Sequence, residues 1–265
     1  MISVIIPTWN PKKYFYDLID SLKNQTINNS LYEIIIIFNN TNSDIVELYS
    51  EYANRNLSNL KIINIPDPGV SLARNIGLDN ALGDFICFLD DDDIISHNYL
   101  ENLYSLKDKN SIVVSNVLSF TEGLDKPKKD YLTFEKDFSS INILKYRSYF
   151  STVWGKLIPR NLVGNFRFNQ SLKNGEDALF MYSFSYKVEK ILSTSPSTIY
   201  YRRVRIESAS RRKRKKYEII SNSLYQIKLY TKIFFYSKNR YSSVFLLNRY
   251  MAIIKKLLID LGLWK

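Results

Sequence analysis

Phe85-Ile-Cys-Phe-Leu-Asp-Asp-Asp-Asp93 is the stretch on which the reading of the chain turns. Five consecutive apolar residues run into four carboxylates, the pattern of a strand buried on both faces that ends in a charged loop. Four like charges at the end of a core strand repel one another. A hard divalent cation with oxygen ligands is the natural compensating partner. The alternative reading of the same residues is a solvated acidic turn leading into a helix at Tyr99.

Outward from this stretch the same unit recurs. Residues 2–6 form an apolar run stopped by Pro7, followed by a helical pattern with Tyr14, Leu18 and Leu22 on one face. Residues 33–38 and 60–65 predict the second and third strands, with Ile45, Leu48 and Tyr52 on a helix between them. Helices are expected over 71–81 and 99–106, and a further strand over 112–117. Strands this uniformly apolar suit an α/β fold, a Rossmann-like, mostly parallel sheet with helices on both sides. Ligands in such sheets bind at the carboxyl ends of the strands. Three of those ends are polar: 8–10, 39–44 and 90–93. Across 118–150 the periodicity fades, and a mobile connection is expected there. Strands near 153–158, 190–192 and 198–203 and a helix over 177–187 complete the pattern.

Composition excludes several classes. Hydrophobic residues make up 45% of the 265, too many for a disordered chain. The single cysteine, Cys87, rules out a disulfide framework and a cysteine-based zinc site, and points to a reducing compartment. The first residues carry no pattern of a secretory signal, and no apolar run approaches the roughly 18 residues of a spanning helix. A cytoplasmic location is expected. The net charge of +11 divides unevenly: residues 200–265 hold 17 Lys and Arg against three acids, leaving 20 against 23 for residues 1–199. A nearly neutral domain therefore carries a strongly basic end.

Four segments, in order and approximate spacing, resemble the family 2 glycosyltransferases of the GT-A fold. They are Ser3-Val-Ile-Ile-Pro-Thr-Trp-Asn10, Gly69-Val-Ser-Leu-Ala-Arg-Asn-Ile-Gly77, Phe88-Leu-Asp-Asp-Asp-Asp93 and Glu176-Asp177. The match spans about residues 1–203. It implies a nucleotide-sugar donor, usually UDP-linked, a divalent Mn²⁺ or Mg²⁺ held by Asp-x-Asp carboxylates, and inversion at the anomeric carbon. Carried over residue by residue, it implies that Pro7, Thr8 and Trp9 lie against the nucleoside, with the indole face open to stack on a base. Arg74 approaches the nucleotide or the acidic cluster, Asp90 and Asp91 contact the donor, and Asp92 with Asp90 holds the metal. Asp177, or its neighbour Glu176, acts as the base on the acceptor hydroxyl. Both acids also suit the first turn of a helix, where the dipole favours them.

Two departures stand out. Members of the family commonly end the second strand with Asp-Asp-Gly-Ser, where this chain has Asn39-Asn40-Thr41-Asn42. Asn39 can still hydrogen-bond a base edge but brings no charge. Many relatives carry a late histidine near the metal, whereas the only histidine here, His97, follows the acidic cluster and reads as a helix-start residue.

The resulting organisation is a GT-A catalytic domain over 1–205, with a nucleotide-sugar half (1–117) and an acceptor half (151–205), and a basic amphipathic helical region over 206–265. Arg202, Arg203, Arg205 and Ser208 are candidates for a diphosphate clamp or for part of the basic tail. The block Arg211-Arg-Lys-Arg-Lys-Lys216, followed by Leu247, Tyr250, Ile254, Leu257 and Leu261 on one helical face, fits an anionic membrane surface. A hairpin packed on the domain, or a homo-oligomer through the C-terminal helices, accounts for the same pattern. No nucleic-acid module accompanies the charge. The expected function is transfer of a hexose or N-acetylhexosamine to a hydroxyl of a glycan or lipid-linked acceptor in bacterial surface polysaccharide or glycolipid synthesis. A catalytically silent scaffold is a second reading. A nucleotidyltransferase is a third, disfavoured because residues 7–13 contain no glycine.

Overall fold

The computed structural model describes residues 1–121, 124, 126–205, 215–236 and 240–264. The first half of the chain runs β1 (Ile2–Thr8), α1 (Tyr14–Lys23), β2 (Tyr32–Asn39), α2 (Ser43–Asn56), β3 (Leu60–Ile65), α3 (Val70–Asn80), β4 (Phe85–Phe88), β5 (Ile94–Ile95) and α4 (Tyr99–Ser105). Next come β6 (Ser111–Val114), β7 (Asn116–Phe120), β8 (Lys128–Lys129), β9 (Ser139–Ser140), β10 (Lys156–Pro159), α5 (Arg160–Val163), α6 (Glu176–Ser183), β11 (Lys190–Ser193) and β12 (Ile199–Arg203). Two long helices follow, α7 (Lys216–Tyr236) and α8 (Ser243–Asp260).

The strands form an eight-stranded sheet in the order β3-β2-β1-β4-β10-β6-β11-β9 and a smaller sheet in the order β5-β12-β7-β8. β3, β2, β1 and β4 are mutually parallel. β10 runs antiparallel to both β4 and β6. Every residue of β1 and β4 is buried, which is why their sequences are runs of Ile, Val and Phe with no alternation. α3 lies close against this sheet at Gly77, where a Cβ would collide with the Ile5 side chain. Because β1, β2 and β4 are parallel, their polar ends emerge on one edge.

Three expectations are corrected. Residues 112–117 are not one strand: β6 ends in the large sheet at Val114 and β7 begins in the small one at Asn116. Ser115 between them donates both its amide and its hydroxyl to the Gly155 carbonyl, at 3.0 and 3.2 Å. Hydropathy cannot register this change of sheet, since both halves are equally apolar. The described residues of 118–150 are not a mobile connection either. Leu132, Tyr149 and Phe150 are core residues, and Asp130 pairs with Arg202 at 2.6 Å. Its contacts are made by single side chains, so no period marks them. The helix expected over 177–187 stops at Ser183 and gives way to a 3₁₀ turn, Ser185–Lys187.

α7 and α8 pack on each other and on the domain. Tyr182 of α6 lies against Tyr230 and Tyr241, with ring centroids 4.9 Å away in each case. Phe245 of α8 meets Phe150 edge-on at 5.7 Å. Burying rings of this size on both sides fixes the helices to the domain by the ordinary hydrophobic term.

Candidate active site

The site is built where β1, β2 and β4 end. Pro7 and Thr8 are buried at the end of β1, and Thr8 Oγ1 has no hydrogen-bond partner. Trp9 follows with its ring 58% exposed. Asn39 ends β2; its amide donates to the Gly69 carbonyl at 3.3 Å, while its Oδ1 is buried without a partner. Asn10 and Asn40 turn the chain with φ of 45° and 46°, a left-handed conformation that asparagine tolerates. The Asn10 amide donates to Thr41 Oγ1 at 3.2 Å, tying the two loops together. Buried polar atoms left unpaired are costly, and their clustering at strand ends marks a surface shaped for a polar ligand.

The four aspartates diverge in role. Asp93 is 2% exposed and locked: Tyr200 Oη donates to Oδ2 at 2.5 Å and the Arg203 amide to Oδ1 at 2.7 Å. Burial and the charges of Asp92 and Asp90 push its pKa well above the ordinary carboxylate range. Asp92 pairs with Arg205 at 2.6 Å. Burial, then the Asp90 charge, raises Asp92 to about 6. Asp91 goes up to about 8 through burial and the charges of Asp92 and Asp90, against the pull of Arg205 and of the Trp9 amide. Asp90 pairs with Arg74 at 3.1 Å and its amide donates to Tyr200 Oη at 3.2 Å.

Among the described residues no three acidic, histidine or cysteine side chains converge on one metal-sized point. Mg²⁺ and Mn²⁺ bound to nucleoside diphosphates need only one or two carboxylates, with phosphate and water oxygens completing the shell. The donor set fits such an ion. Asp90, Asp91 and Asp92 offer hard oxygen donors, burial and crowding raise Asp91 and Asp92 toward neutrality, and Arg205 is a cation already drawn to Asp92.

Arg74 joins this cluster to the other half of the site. It is 4% exposed in α3, and its Nη1 donates to Asp177 Oδ1 at 2.6 Å and lies 3.9 Å from Glu176 Oε1. Burial lowers the Arg74 pKa, but the three surrounding carboxylates outweigh it and the guanidinium stays charged. Burial raises Asp177 to about 7; Arg74 opposes that shift, and Glu176 and Asp90 add to it.

Asp177 owes its place to the turn before α6. Gly175, with φ of 78°, precedes the helix and no side chain caps it. Asn174 is not the cap; its Oδ1 instead accepts from Asn222 Nδ2 at 2.6 Å and Gln226 Nε2 at 2.9 Å, both on α7. Trp154 stacks on Tyr200, with ring centroids 5.0 Å apart. Lys156 is fully buried, with its ammonium donating to the Tyr149 and Thr152 carbonyls and to Thr152 Oγ1 at 2.6–3.1 Å; burial lowers its pKa to about 7.

The structure thus brings together Arg74, Asp90, Asp177 and Glu176, and groups Asp91 and Asp92 with Arg205. Arg202 and Arg203 are spent on internal pairs with Asp130 and Asp17. Ser208 and residues 211–214 of the basic block lie outside the described residues. Sequence reasoning missed Tyr200, which reads as an ordinary strand residue, and the α7 pair Asn222 and Gln226, whose partner lies about 50 residues away.

Comparison with known proteins identifies the family and the fold. The sequence matches the family described as "Glycosyl transferase family 2" over residues 3–186. It is 31% identical to the minor teichoic acid biosynthesis protein GgaA of Bacillus subtilis (strain 168) over 210 residues, 77% of this chain and 47% of that one. It is 26% identical to the poly(ribitol-phosphate) beta-N-acetylglucosaminyltransferase TarS of Staphylococcus aureus (strain MW2) over 204 residues, 75% of this chain and 35% of that one. The chain thus spans half the length of these curated relatives or less. Among solved structures, S. aureus TarS 1-349 in complex with UDP-GlcNAc superposes with a TM-score of 0.75 at 20% identity, over 98% of this chain and 72% of that one.

Proposed function

Since the chain belongs to the family 2 glycosyltransferases, we propose that it moves a hexose or N-acetylhexosamine from a UDP-sugar to a hydroxyl of a bacterial surface polymer or lipid-linked glycan, with inversion. The observation that carries this reading is Arg74, which holds the donor-side carboxylate Asp90 and the acceptor-side carboxylate Asp177 in one site. Thr8, Trp9 and Asn39 bind the nucleoside, the indole by stacking and the two buried polar groups by hydrogen bonds. Asp92, with Asp90, holds Mn²⁺ or Mg²⁺. That ion, when bound, supplies positive charge to the departing diphosphate. Asp177 takes the proton of the attacking hydroxyl, a role suited to a carboxylate raised toward neutrality. Glu176 lies beside it, 3.9 Å from the same guanidinium.

The test is a panel of nucleotide sugars incubated with the full chain and Mn²⁺, scored for slow donor hydrolysis. Hydrolysis of one UDP-sugar, lost with EDTA, is expected. Calorimetry showing no UDP binding with metal would defeat the reading and favour the silent scaffold.

A peripheral membrane location is the reading that a second observation supports. On α8, Val244, Leu247, Met251 and Ile254 are all exposed and share one face, while Phe245 and Ile253 face the domain. No helix among the described residues is long and apolar enough to cross a membrane. This stripe, with the basic charge of 200–265, suits the headgroup layer of anionic lipid on the inner face of the cell membrane. Sedimentation with anionic vesicles, weakened by salt and by Leu247→Ser with Met251→Ser, is expected. A shift of sedimentation mass in the same pair without lipid would mean instead that the stripe joins two copies.

A further inference from the structure

Between the turn Arg147–Phe150 and α8 lies a cleft of about 240 Å³ lined by Lys145, Arg147, Ser148, Ser151, Asn248 and Arg249. Three of these are cations and three carry neutral donors; Ala252 completes the wall, and no carboxylate lines it. Arg249 is 6% exposed. Its guanidinium donates to Ser151 Oγ at 3.3 Å and to the carbonyls of Arg147 and Phe150 at 3.2 and 3.0 Å, and its Nε has no partner. Among the described residues none of the three cations pairs with an acid. A buried guanidinium without a counter-ion is unfavourable, and here Arg147 adds like-charge repulsion. An anion with several oxygens relieves both.

The position says which anion. Arg249 also lines an adjoining cavity of about 210 Å³ whose wall includes Asn174, Gly175 and Ala178, the residues that flank Glu176 and Asp177 in the chain. The cavity thus reaches the turn that carries the proposed base, although Glu176 and Asp177 themselves face Arg74 rather than its wall. The apolar stripe of α8 points elsewhere: at about 100° per residue, Arg249 lies more than a third of a turn from each of Val244, Leu247, Met251 and Ile254, while Asn248 borders the stripe. The guanidinium at the centre of the cleft is thus on a different side of α8 from the face suited to lipid.

We propose that this cleft is an acceptor subsite that grips a phosphomonoester or phosphodiester group, so that a hydroxyl of the same acceptor reaches Asp177. Arg249 supplies the fixed charge, Lys145 and Arg147 complete the clamp, and Ser148, Ser151 and Asn248 donate to the remaining oxygens. The inference rests on the transferase reading above, because it places the phosphate on the acceptor rather than on the donor.

Calorimetry of the full chain with glycerol 3-phosphate, run beside UDP with Mn²⁺, tests it. Lys145 and Arg147 are exposed, so the double variant Lys145→Ala/Arg147→Ala keeps its fold; Arg249→Lys retains the charge but not the fork. Both are expected to weaken glycerol 3-phosphate at least about tenfold and to leave UDP unchanged. Equal affinity in wild type and variants, or no phosphate binding, overturns the proposal. So does loss of binding to phosphatidylglycerol vesicles alone in the double variant, which would assign the cleft to lipid. If wild type fails to bind UDP, the transferase reading falls, and the acceptor role with it, whatever glycerol 3-phosphate does.

Discussion

Arg74 Nη1 lies 2.6 Å from Asp177 Oδ1, joining α3 to the start of α6 across 103 residues of chain. The same guanidinium holds Asp90, so its removal leaves two acids facing each other without compensation. Truncating one member of a buried ionic set costs about 3–5 kcal/mol. Arg74→Ala should fall toward the lower end of that range, because Asp90 is one-third exposed. Arg74→Lys should restore part of the stability but not transfer, since an ammonium cannot fork to both carboxylates. Thermal denaturation with donor-hydrolysis rates on both variants checks this; full activity in the lysine variant would count against a bridging role.

Asp177 should set the acid limb of the pH profile. Its pKa lies near 7, raised first by burial and restrained by Arg74. A base must be deprotonated to act, so the rate should fall as pH drops through that region and level off above it. Asp177→Asn should bind UDP as wild type does while transfer falls roughly 10²- to 10⁴-fold. A helix-start residue with no chemical role would leave turnover nearly intact and cost on the order of 0.3–1 kcal/mol.

Adjacent aspartates should respond differently to the same kind of change. Asp93 accepts from Tyr200 Oη and the Arg203 amide, so Tyr200→Phe should remove about 1.5–3 kcal/mol of stability without changing metal-dependent UDP affinity. Among the described residues Asp92 forms an ion pair with Arg205 alone, and Asp92→Ala should abolish the effect of Mn²⁺ on UDP binding while the fold stands. Calorimetry with and without Mn²⁺, beside urea melts, separates the two. Metal-supported UDP binding undiminished in Asp92→Ala would move the metal assignment elsewhere.

The parts of this site that were legible in the sequence are those written into buried strands. β1, β2 and β4 are nearly all apolar because both faces are covered, so each strand and its polar end can be read directly, whereas β3 lies at the sheet edge, only partly buried, and carries Lys61 and Asn64. Arg74, Asp90 and Asp177 were nameable from the motifs they sit in. Their ion pairs were not, since nothing local in α3 records a carboxylate 103 residues away. Tyr200 is silent for the same reason: its hydroxyl serves Asp93 while its ring packs on Trp154, and only the ring shows in a hydropathy pattern. Of the two C-terminal helices, α8 was visible by the spacing of Leu247, Tyr250, Ile254 and Leu257, whereas α7 fell only within the expected helical region, with no period of its own read. The face carrying Asn222 and Gln226 reads as ordinary helix surface until Asn174 is placed beside it.

That contact carries the last prediction, which concerns how α7 positions Asp177. Gly175 sits at φ of 78°, a region where a side chain costs about 1–2 kcal/mol. A Cβ added there would also lie 2.7 Å from Gln226 Oε1. Gly175→Ala must therefore push either the turn or the glutamine aside, and the turn is followed directly by Glu176 and Asp177. Gln226 donates to the Asn174 carbonyl at 3.1 Å and to its Oδ1 at 2.9 Å, so the brace and the obstacle are the same side chain. In Gly175→Ala with Gln226→Ala the clash is relieved but the brace is gone. If α7 only adds stability, the double variant should recover both melting temperature and transfer relative to Gly175→Ala. If the brace aims Asp177 at the acceptor, melting temperature should partly recover while transfer stays low, and UDP affinity should match wild type throughout, because Thr8, Asn39 and Asp92 lie on other elements. Single-turnover rates and melting curves on Gly175→Ala, Gln226→Ala and the double variant decide between these, and a double variant as active as wild type would exclude any positioning by α7.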